Sequence, residues 1–412
     1  MTDTVGGYEA ILQKLDDMVK SRFIEMFEKS STKYVYLNDI CTNAKIGPFG
    51  SALHKTEMAT EGPVFVLGTD NAVDNVFMVK EKRFINNIKY SELKNYSVNS
   101  GDIIITMMGT VGRSAVVPNG FGPAIISSHL SCITIDPKKA ESSFIQESLY
   151  LSNEIQKQIE NEKKGSIMNG LNLSIIKRLM VPLPSIIEQN KFIVFVKQVD
   201  KSKAIVRQCI EKYNQLVKSR FIEMFGNVEI RVPFKKCIKS ITKGPFGSDI
   251  KKSFFVMKSE NTYKVYIQIN AIKSDQNLGD YYISSDYYNQ KMKRFEVHSG
   301  DYIITCDGTM GRWIRLHNME PGIISSSLLR VTIDESVVNP SYFEAMWDYE
   351  LLPELLSKVR NGCLQHLPAA SVIERCCVKT PSLTLQNKFA QFVKQVDKSK
   401  YAINGNDKNK VD

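Results

Sequence analysis

Two pentapeptides carry the first candidate chemistry. Gly47-Pro48-Phe49-Gly50-Ser51 returns as Gly244-Pro245-Phe246-Gly247-Ser248. Glycines let backbone N–H groups approach a phosphate closely, and lysines beside them add contacts that release counterions. The flanks of the two loops differ. Lys45, Ser51, His54 and Lys55 accompany the first, and Lys243, Ser248, Lys251 and Lys252 the second. A tight turn is the plainer reading of Gly-Pro. A shared frame with altered tips, however, is what two readers of different base sequences need, because base-edge contacts specify while the scaffold positions. A second pair is the Gly-Thr-x-Gly-Arg turn, Gly109 to Arg113 and Gly308 to Arg312. Arg113 and Arg312 suit guanine or phosphate, or else tie the turn down through carbonyls. A third pair is basic and glycine-containing: Lys163-Lys164-Gly165 with Asn169, and Lys358 to Gly362, including Arg360, with Gln365 and His366. Amide and imidazole side chains bond base edges there, unless the lysines are only a solvated face. His129 against Ser327 is one more divergent pair, for which a surface histidine is the simpler reading.

Catalytic patterns are absent: no GxxxxGK[ST] phosphate loop, no HExxH, no GxSxG. Asn339-Pro340-Ser341-Tyr342 resembles the Asn-Pro-Pro-Tyr/Phe loop with which amino-methyltransferases grip a flipped base. No glycine-rich strand-to-helix loop for a methyl donor precedes it. Asn at N-cap and Pro at N1 make a good helix start, and that is the reading adopted. Lys and Arg total 54 against 44 Asp and Glu, a net charge of +10, which favours a polyanionic partner. Eight scattered cysteines without a CxxC pair point to reduced thiols and a cytoplasmic protein; five scattered histidines make no metal-ligand spacing. No run of about 18 apolar residues spans a membrane, and no signal pattern opens the chain.

The elements that must position these loops are themselves repeated. Lys20 to Phe27 returns as Lys218 to Phe225, and Phe195 to Lys203 returns as Phe392 to Lys400. A period near 200 residues is a domain duplication, since solenoid repeats run about 20–50. Residues 186–225 lack Gly and Pro, and Phe192, Val199, Val206 and Tyr213 fall seven apart. With Phe195, Ser202, Cys209 and Leu216 as a second row, this reads as a long helix with one coiled-coil seam. An amphipathic helix on a globular core is the alternative; the length favours a spacer arm. Residues 9–27 resemble the second half of that helix and 386–403 the first half, with Phe389 and Val396 in the seam. The duplication is therefore circular, and two antiparallel rods would bury both seams about a pseudo-two-fold axis. The boundaries expected are 1–30, 31–185, 186–226, 227–382 and 383–412, with a frayed polar tail from Asn404. Within 31–185 and 227–382, strands are expected at 102–106 and 301–305, at 114–117, and from Ile125 to Asp136 and Ile323 to Asp334. Helices are expected near 141–161 and 340–359. Proline-marked exits follow at Val181 to Pro184 and Thr380-Pro381.

Two variable globular regions, each ending in a Pro-Leu-Pro-like segment, then Gln-Asn-Lys-Phe and a long helix, resemble the specificity subunit of Type I restriction–modification systems. The residues carrying this are Val181-Pro182-Leu183-Pro184 with Glu188-Gln189, the circular repeat, and the Gly-Thr-x-Gly-Arg turns. The second exit departs: Lys379-Thr380-Pro381 replaces Pro-Leu-Pro and Leu385 replaces the Glu. The resemblance implies an α+β chain of two similar mixed α/β target recognition domains, separated by long antiparallel coiled-coil helices in a pseudo-two-fold, circular arrangement. Each domain would read one part of a bipartite, asymmetric site in double-stranded DNA. The helices would fix the gap and dock two methyltransferase subunits, which bind S-adenosylmethionine; motor–nuclease subunits would join to cleave. This chain would hold no cofactor and no metal and catalyse nothing. The rival readings are a self-contained DNA methyltransferase or nuclease with a duplicated reader, and a coiled-coil scaffold.

Overall fold

The computed structural model describes residues 2–164, 170–358 and 366–405. The chain divides into two compact units. One is Leu12–Ala204; the other takes the chain from Ile205 onward together with its first eleven residues.

In the unit Leu12–Ala204, an antiparallel sheet runs in the order Cys41–Ile46, Leu130–Ile135, Ile103–Thr106, Ser114–Val116. A second sheet runs Phe84–Ile85, Val64–Leu67, Ala124–Ile126, Ser97–Val98, with one parallel pair at its centre. Ile103-Ile104-Ile105 is apolar throughout because both faces of its sheet are covered. Ile103 and Ile105 pack with the long helices, and Ile104 packs with the second sheet. The single strand expected from Ile125 to Asp136 is two strands in two sheets. The chain turns at Ser127, whose carbonyl accepts from Leu130 N–H at 3.1 Å, and crosses from one sheet to the other. The expected helix over 141–161 is likewise two, Ser142–Leu151 and Asn153–Lys164. Ser152 separates them, and its Oγ accepts from Ile155 N–H at 3.2 Å, capping the second.

The other unit repeats this order. Its antiparallel sheet is Ile238–Lys243, Leu328–Ile333, Tyr302–Thr305, Trp313–Arg315. The mixed sheet is Tyr282–Ser284, Thr262–Tyr266, Gly322–Ile324, Glu296–Val297. Here too the strand expected after Ile323 is split. Asn339 caps the helix Pro340–Met346, its Oδ1 accepting from Ser341 N–H at 2.9 Å, as its sequence implies. In each unit the entering chain pairs with the proline-marked exit: Tyr34–Tyr36 with Met180–Pro182, and Arg231–Pro233 with Cys377–Lys379.

The uninterrupted stretch is one 40-residue helix, Ile186–Phe225. Ser185 and Glu188 form a capping box at its start, with Ser185 N–H donating to Glu188 Oε2 at 3.0 Å and Glu188 N–H to Ser185 Oγ at 3.3 Å. Its first half packs antiparallel to the helix Thr2–Phe23: Phe23 meets Phe192 at 5.5 Å between ring centroids, and Lys203 meets Asp16 eleven residues further on. Its second half packs with the helix Leu383–Gly405, where Phe221 and Phe225 meet Phe389 at 5.9 and 5.4 Å. Phe23, Phe27, Phe144 and Phe192 thus form one aromatic cluster, and Phe221, Phe225, Tyr342 and Phe389 form its copy.

The seam differs from the expected one in its second row. Phe192, Val199 and Tyr213 are buried and Val206 half-buried, but Ser202, Cys209 and Leu216 are exposed. Of the expected second row only Phe195 is half-buried against the core; the row otherwise lies one residue later, at Val196, Lys203, Ile210 and Val217. Positions three and four residues on flank the same face. Three aliphatic side chains fill the later row, against two large apolar ones in the earlier. In the C-terminal copy Phe389 and Val393 are buried and Val396 half-buried, the same spacing.

Gln189 and Gln386 lock each helix to its exit. Gln189 Oε1 accepts from Glu141 N–H at 2.9 Å and its Nε2 donates to the Pro184 carbonyl at 2.9 Å. Gln386 Oε1 accepts from Asn339 N–H at 2.8 Å, and its Nε2 donates to the Pro381 and Val337 carbonyls. The altered second exit therefore keeps the same docking, losing only the Glu half of the capping box.

Candidate nucleic-acid interface

The register of the antiparallel sheet gathers the candidate loops. Ile46 and Ile105 both stand opposite Ser131, and Ile105 stands opposite Ser114. The Gly47–Ser51 loop, Ser127 to His129 and the Gly109–Arg113 turn therefore leave the same end of one sheet. Met107 N–H donates to the His129 carbonyl at 2.9 Å, and Leu171 N–H to the Met107 carbonyl at 2.9 Å, which brings Leu171 to that end. The other unit repeats it: Cys306 N–H donates to Ser327 and Leu367 N–H to Cys306, each at 2.9 Å. Loops about sixty residues apart in sequence, Gly47 against Gly109 and Gly244 against Gly308, become neighbours because a central strand, Leu130–Ile135 or Leu328–Ile333, pairs on both sides.

The two glycines of each pentapeptide do different work. A Cβ on Gly47 or Gly244 would lie 1.9 Å from the carbonyl oxygen of Ser127 or Ser325, so these glycines are needed for backbone packing. Gly50 and Gly247 have open space where a Cβ would stand, so their backbone is approachable. Ser51, His54, Lys55, Lys243, Ser248, Lys251 and Lys252 are all exposed. Lys45 is half-buried and its ammonium donates to the Ser97 carbonyl. In the other unit Arg330 donates to the Glu296 carbonyl at the matching place, and to Thr242 Oγ1 at 3.1 Å. Lys45 stands opposite Cys132 as Thr242 stands opposite Arg330, so the cation has changed strands and kept its partner.

In the Gly-Thr-x-Gly turns, Gly109, Gly112, Gly308 and Gly311 have φ of +74, +84, +67 and +79°. Thr106 Oγ1 accepts from Arg113 N–H, and Thr305 Oγ1 from Arg312 N–H, each at 3.0 Å. The Arg113 guanidinium lies 5.8 Å from the Tyr150 ring centroid, a cation–π contact, whereas Arg312 is exposed. His129 is exposed, and Ser327 lines a cavity of about 360 Å³ with Ile250 and Gln268. His366 Nδ1 lies 2.6 Å from Asp307 Oδ1; in the first unit the corresponding neighbours are Met108 and Gly170. The side chains of Lys163 and Lys164, and Asn169, Arg360 and Gln365, lie outside the described residues.

Three features went unselected in the sequence. Arg330 was hidden because its partner cation sits on another strand. Asp307 and His366 are each legible as candidates, and only their pairing was hidden by their separation in sequence. Phe49 and Phe246 stand inside the quoted loops and are exposed at their tips; an aromatic repeated between two glycines was the available signal. Among the described residues no group of three or more His, Cys, Asp or Glu is placed to hold a metal. The buried Asp102 and Asp301 are structural: each accepts a backbone N–H three residues back, at 2.8 Å, and a threonine hydroxyl across the sheet.

Residues 16–215 match the family described as the Type I restriction modification DNA specificity domain. No curated protein matches. Solved structures similar to this chain include one on complex assembly and conformational transition of the type I R-M system, 15% identical, covering 91% of this chain and 92% of that one with a TM-score of 0.44. Another is the HsdS subunit from Thermoanaerobacter tengcongensis, 16% identical, covering 90% of each chain, TM-score 0.36. A third is the Type-I restriction-modification system S subunit from M. genitalium, 11% identical, covering 90% of this chain and 91% of that one, TM-score 0.42.

Proposed function

We propose that the chain is a member of the Type I restriction–modification DNA specificity family, which residues 16–215 match, and that its other half, which repeats the matched one, reads DNA as well. It is a DNA-recognition subunit of such a system and not a catalytic one. Regions 31–185 and 227–382 are its two target recognition domains, each taking one part of a bipartite, asymmetric site in the double helix. The observation that carries this is the repeated sheet end, where the same loops emerge with unlike tips: Met108 against Asp307, His54 against Lys251, His129 against Ser327. Side chains of opposite hydrogen-bonding character favour different base edges. The long helices set the distance between half-sites and dock two methyltransferase subunits, which supply S-adenosylmethionine chemistry; motor–nuclease subunits complete the assembly. No helix among the described residues is long and apolar enough to cross a membrane, which suits work on DNA in the cytoplasm.

Methylome sequencing of a strain carrying the gene, against its deletion, tests this. Exchanging region 31–185 for that of a relative is expected to alter one half-site and leave the other. A single palindrome in the methylation map, or an exchange that altered both halves, would rule the reading out. Methyl incorporation by the purified chain alone would restore the self-contained methyltransferase, and failure to shift DNA with or without methyltransferase subunits would leave the scaffold.

A further inference from the structure

We propose that Phe49 and Phe246 are apolar wedges, one per half-site, that stack against bases of the bound duplex. The proposal rests on the DNA-reading function above and names side chains that carry it out. Both rings occupy the same place in the repeated frame, and both are largely bare, at 74% and 78% exposure. A single exposed apolar side chain is ordinary, as Met257 and Ile88 are here; what marks these two rings is the same exposure at the same place of both halves, through otherwise diverged flanks.

The loops hold these rings outward. Gly47 and Gly244 donate N–H to the Leu130 and Leu328 carbonyls at 3.0 and 2.9 Å, and their missing Cβ lets them lie on Ser127 and Ser325. Pro48 and Pro245, which precede the two phenylalanines, are buried. The Phe49 carbonyl then accepts from Ala52 N–H at 2.8 Å, and that of Phe246 from Asp249 N–H at 2.9 Å, closing a turn that begins at the phenylalanine. An aromatic on a tight, anchored turn has little freedom left to lose on binding. What surrounds the rings selects the occupant. The backbone of Gly50 and Gly247 is open, and exposed Lys55, Lys251 and Lys252 follow. A partner that offers dense negative charge and flat apolar faces within a few ångströms is a nucleic acid. Phenylalanine is among the side chains that enter base steps and partly unstack them.

The test uses the full chain assembled with its methyltransferase subunits and a duplex carrying the site mapped in vivo, with 2-aminopurine placed at successive positions. Phe49→Ala is expected to weaken site binding about tenfold, the scale of one lost base–aromatic stack. The salt dependence is expected to stay unchanged, because no charge is removed. The variant also loses the fluorescence rise at one step of the half-site read by its own domain. Phe246→Ala is expected to do the same in the other half-site, and Phe→Trp at either position to retain most of the affinity. An unchanged thermal midpoint shows that the fold is intact, since the rings face solvent. Variants that bind and unstack the site as the unaltered chain does would overturn the wedge while leaving DNA reading in place. So would variants that lose methyltransferase assembly and keep DNA affinity once assembled, which would make these rings protein contacts. An unaltered assembly that fails to discriminate site from non-site DNA would remove both the function and the wedge.

Discussion

Lys203 Nζ lies 2.5 Å from Asp16 Oδ1, inside the seam where the N-terminal helix packs on the long helix. The ammonium is the more buried partner, at 14% exposure against 51%. Burial alone lowers a lysine pKa, but Asp16 and Asp200 outweigh it and Lys203 is held above its ordinary value. An ion in a row otherwise filled by Val196, Ile210 and Val217 restricts how the helices slide past each other, as a polar residue does in a coiled coil. Asp16→Ala leaves the ammonium with Asp200 alone, at 3.4 Å, and is expected to cost about 1 kcal/mol in urea denaturation. Replacing both partners, Asp16→Ala with Lys203→Leu, is expected to recover most of it.

Glu147 faces the same cluster, and its carboxyl is pushed up to about 7, by burial first, then by Asp200 and Asp16 against the opposing Lys203. A carboxyl raised in the folded state binds more protons there than in the unfolded chain. Stability therefore falls as pH rises from the ordinary value of 4.5 to about 7 and is level above it. Glu147→Gln is expected to flatten that slope and raise stability at pH 8 by roughly 1–3 kcal/mol, a half-buried group giving less than the full shift. Unfolding midpoints measured across this range check it; a slope unchanged by the substitution would refute it.

Gln189→Ala and Gln386→Ala each remove a fully buried amide and leave the N–H of Glu141 or Asn339 without its acceptor. Each is expected to cost about 1–3 kcal/mol. The effects should add, because the two sites share no partner.

Lys251→Ala with Lys252→Ala is expected to lower the salt slope of DNA binding by up to about two, whichever sequence is bound. Lys45→Ala is expected to leave that slope alone and lower stability instead, because its ammonium is already spent on the Ser97 carbonyl. A binding titration against salt concentration separates the two lysine classes.

Deleting Ala204 to Ile210, one heptad, keeps the seam in register and shortens the helix by about 10 Å. The gap between half-sites is expected to shrink by about three base pairs at 3.4 Å each. A methylation map showing the original gap would refute the spacer role.

Periodicity and repetition are properties of a string, and what depended on them was legible in it. The helix Ile186–Phe225 followed from forty residues without a breaker, and its antiparallel pairing with the N-terminal helix from Lys20–Phe27 reappearing before Gly226. The cap at Asn339 followed from two adjacent residues. Which row completed the seam did not, because residues three and four positions on both flank the first row and only the partner helix chooses between them. The crossing between Ile126 and Leu130 was equally hidden: two short apolar runs look like one strand until two sheets compete for them. Convergence of the 47–51, 109–113 and 127–129 segments and Leu171 at one sheet end is a matter of strand register, which local pattern does not encode. For the same reason Lys45 looked like its neighbours in the sequence. Only the cross-strand pairing of Lys45 with Cys132, and of Thr242 with Arg330, decided that this cation ties sheets together while Lys251 and Lys252 face solvent.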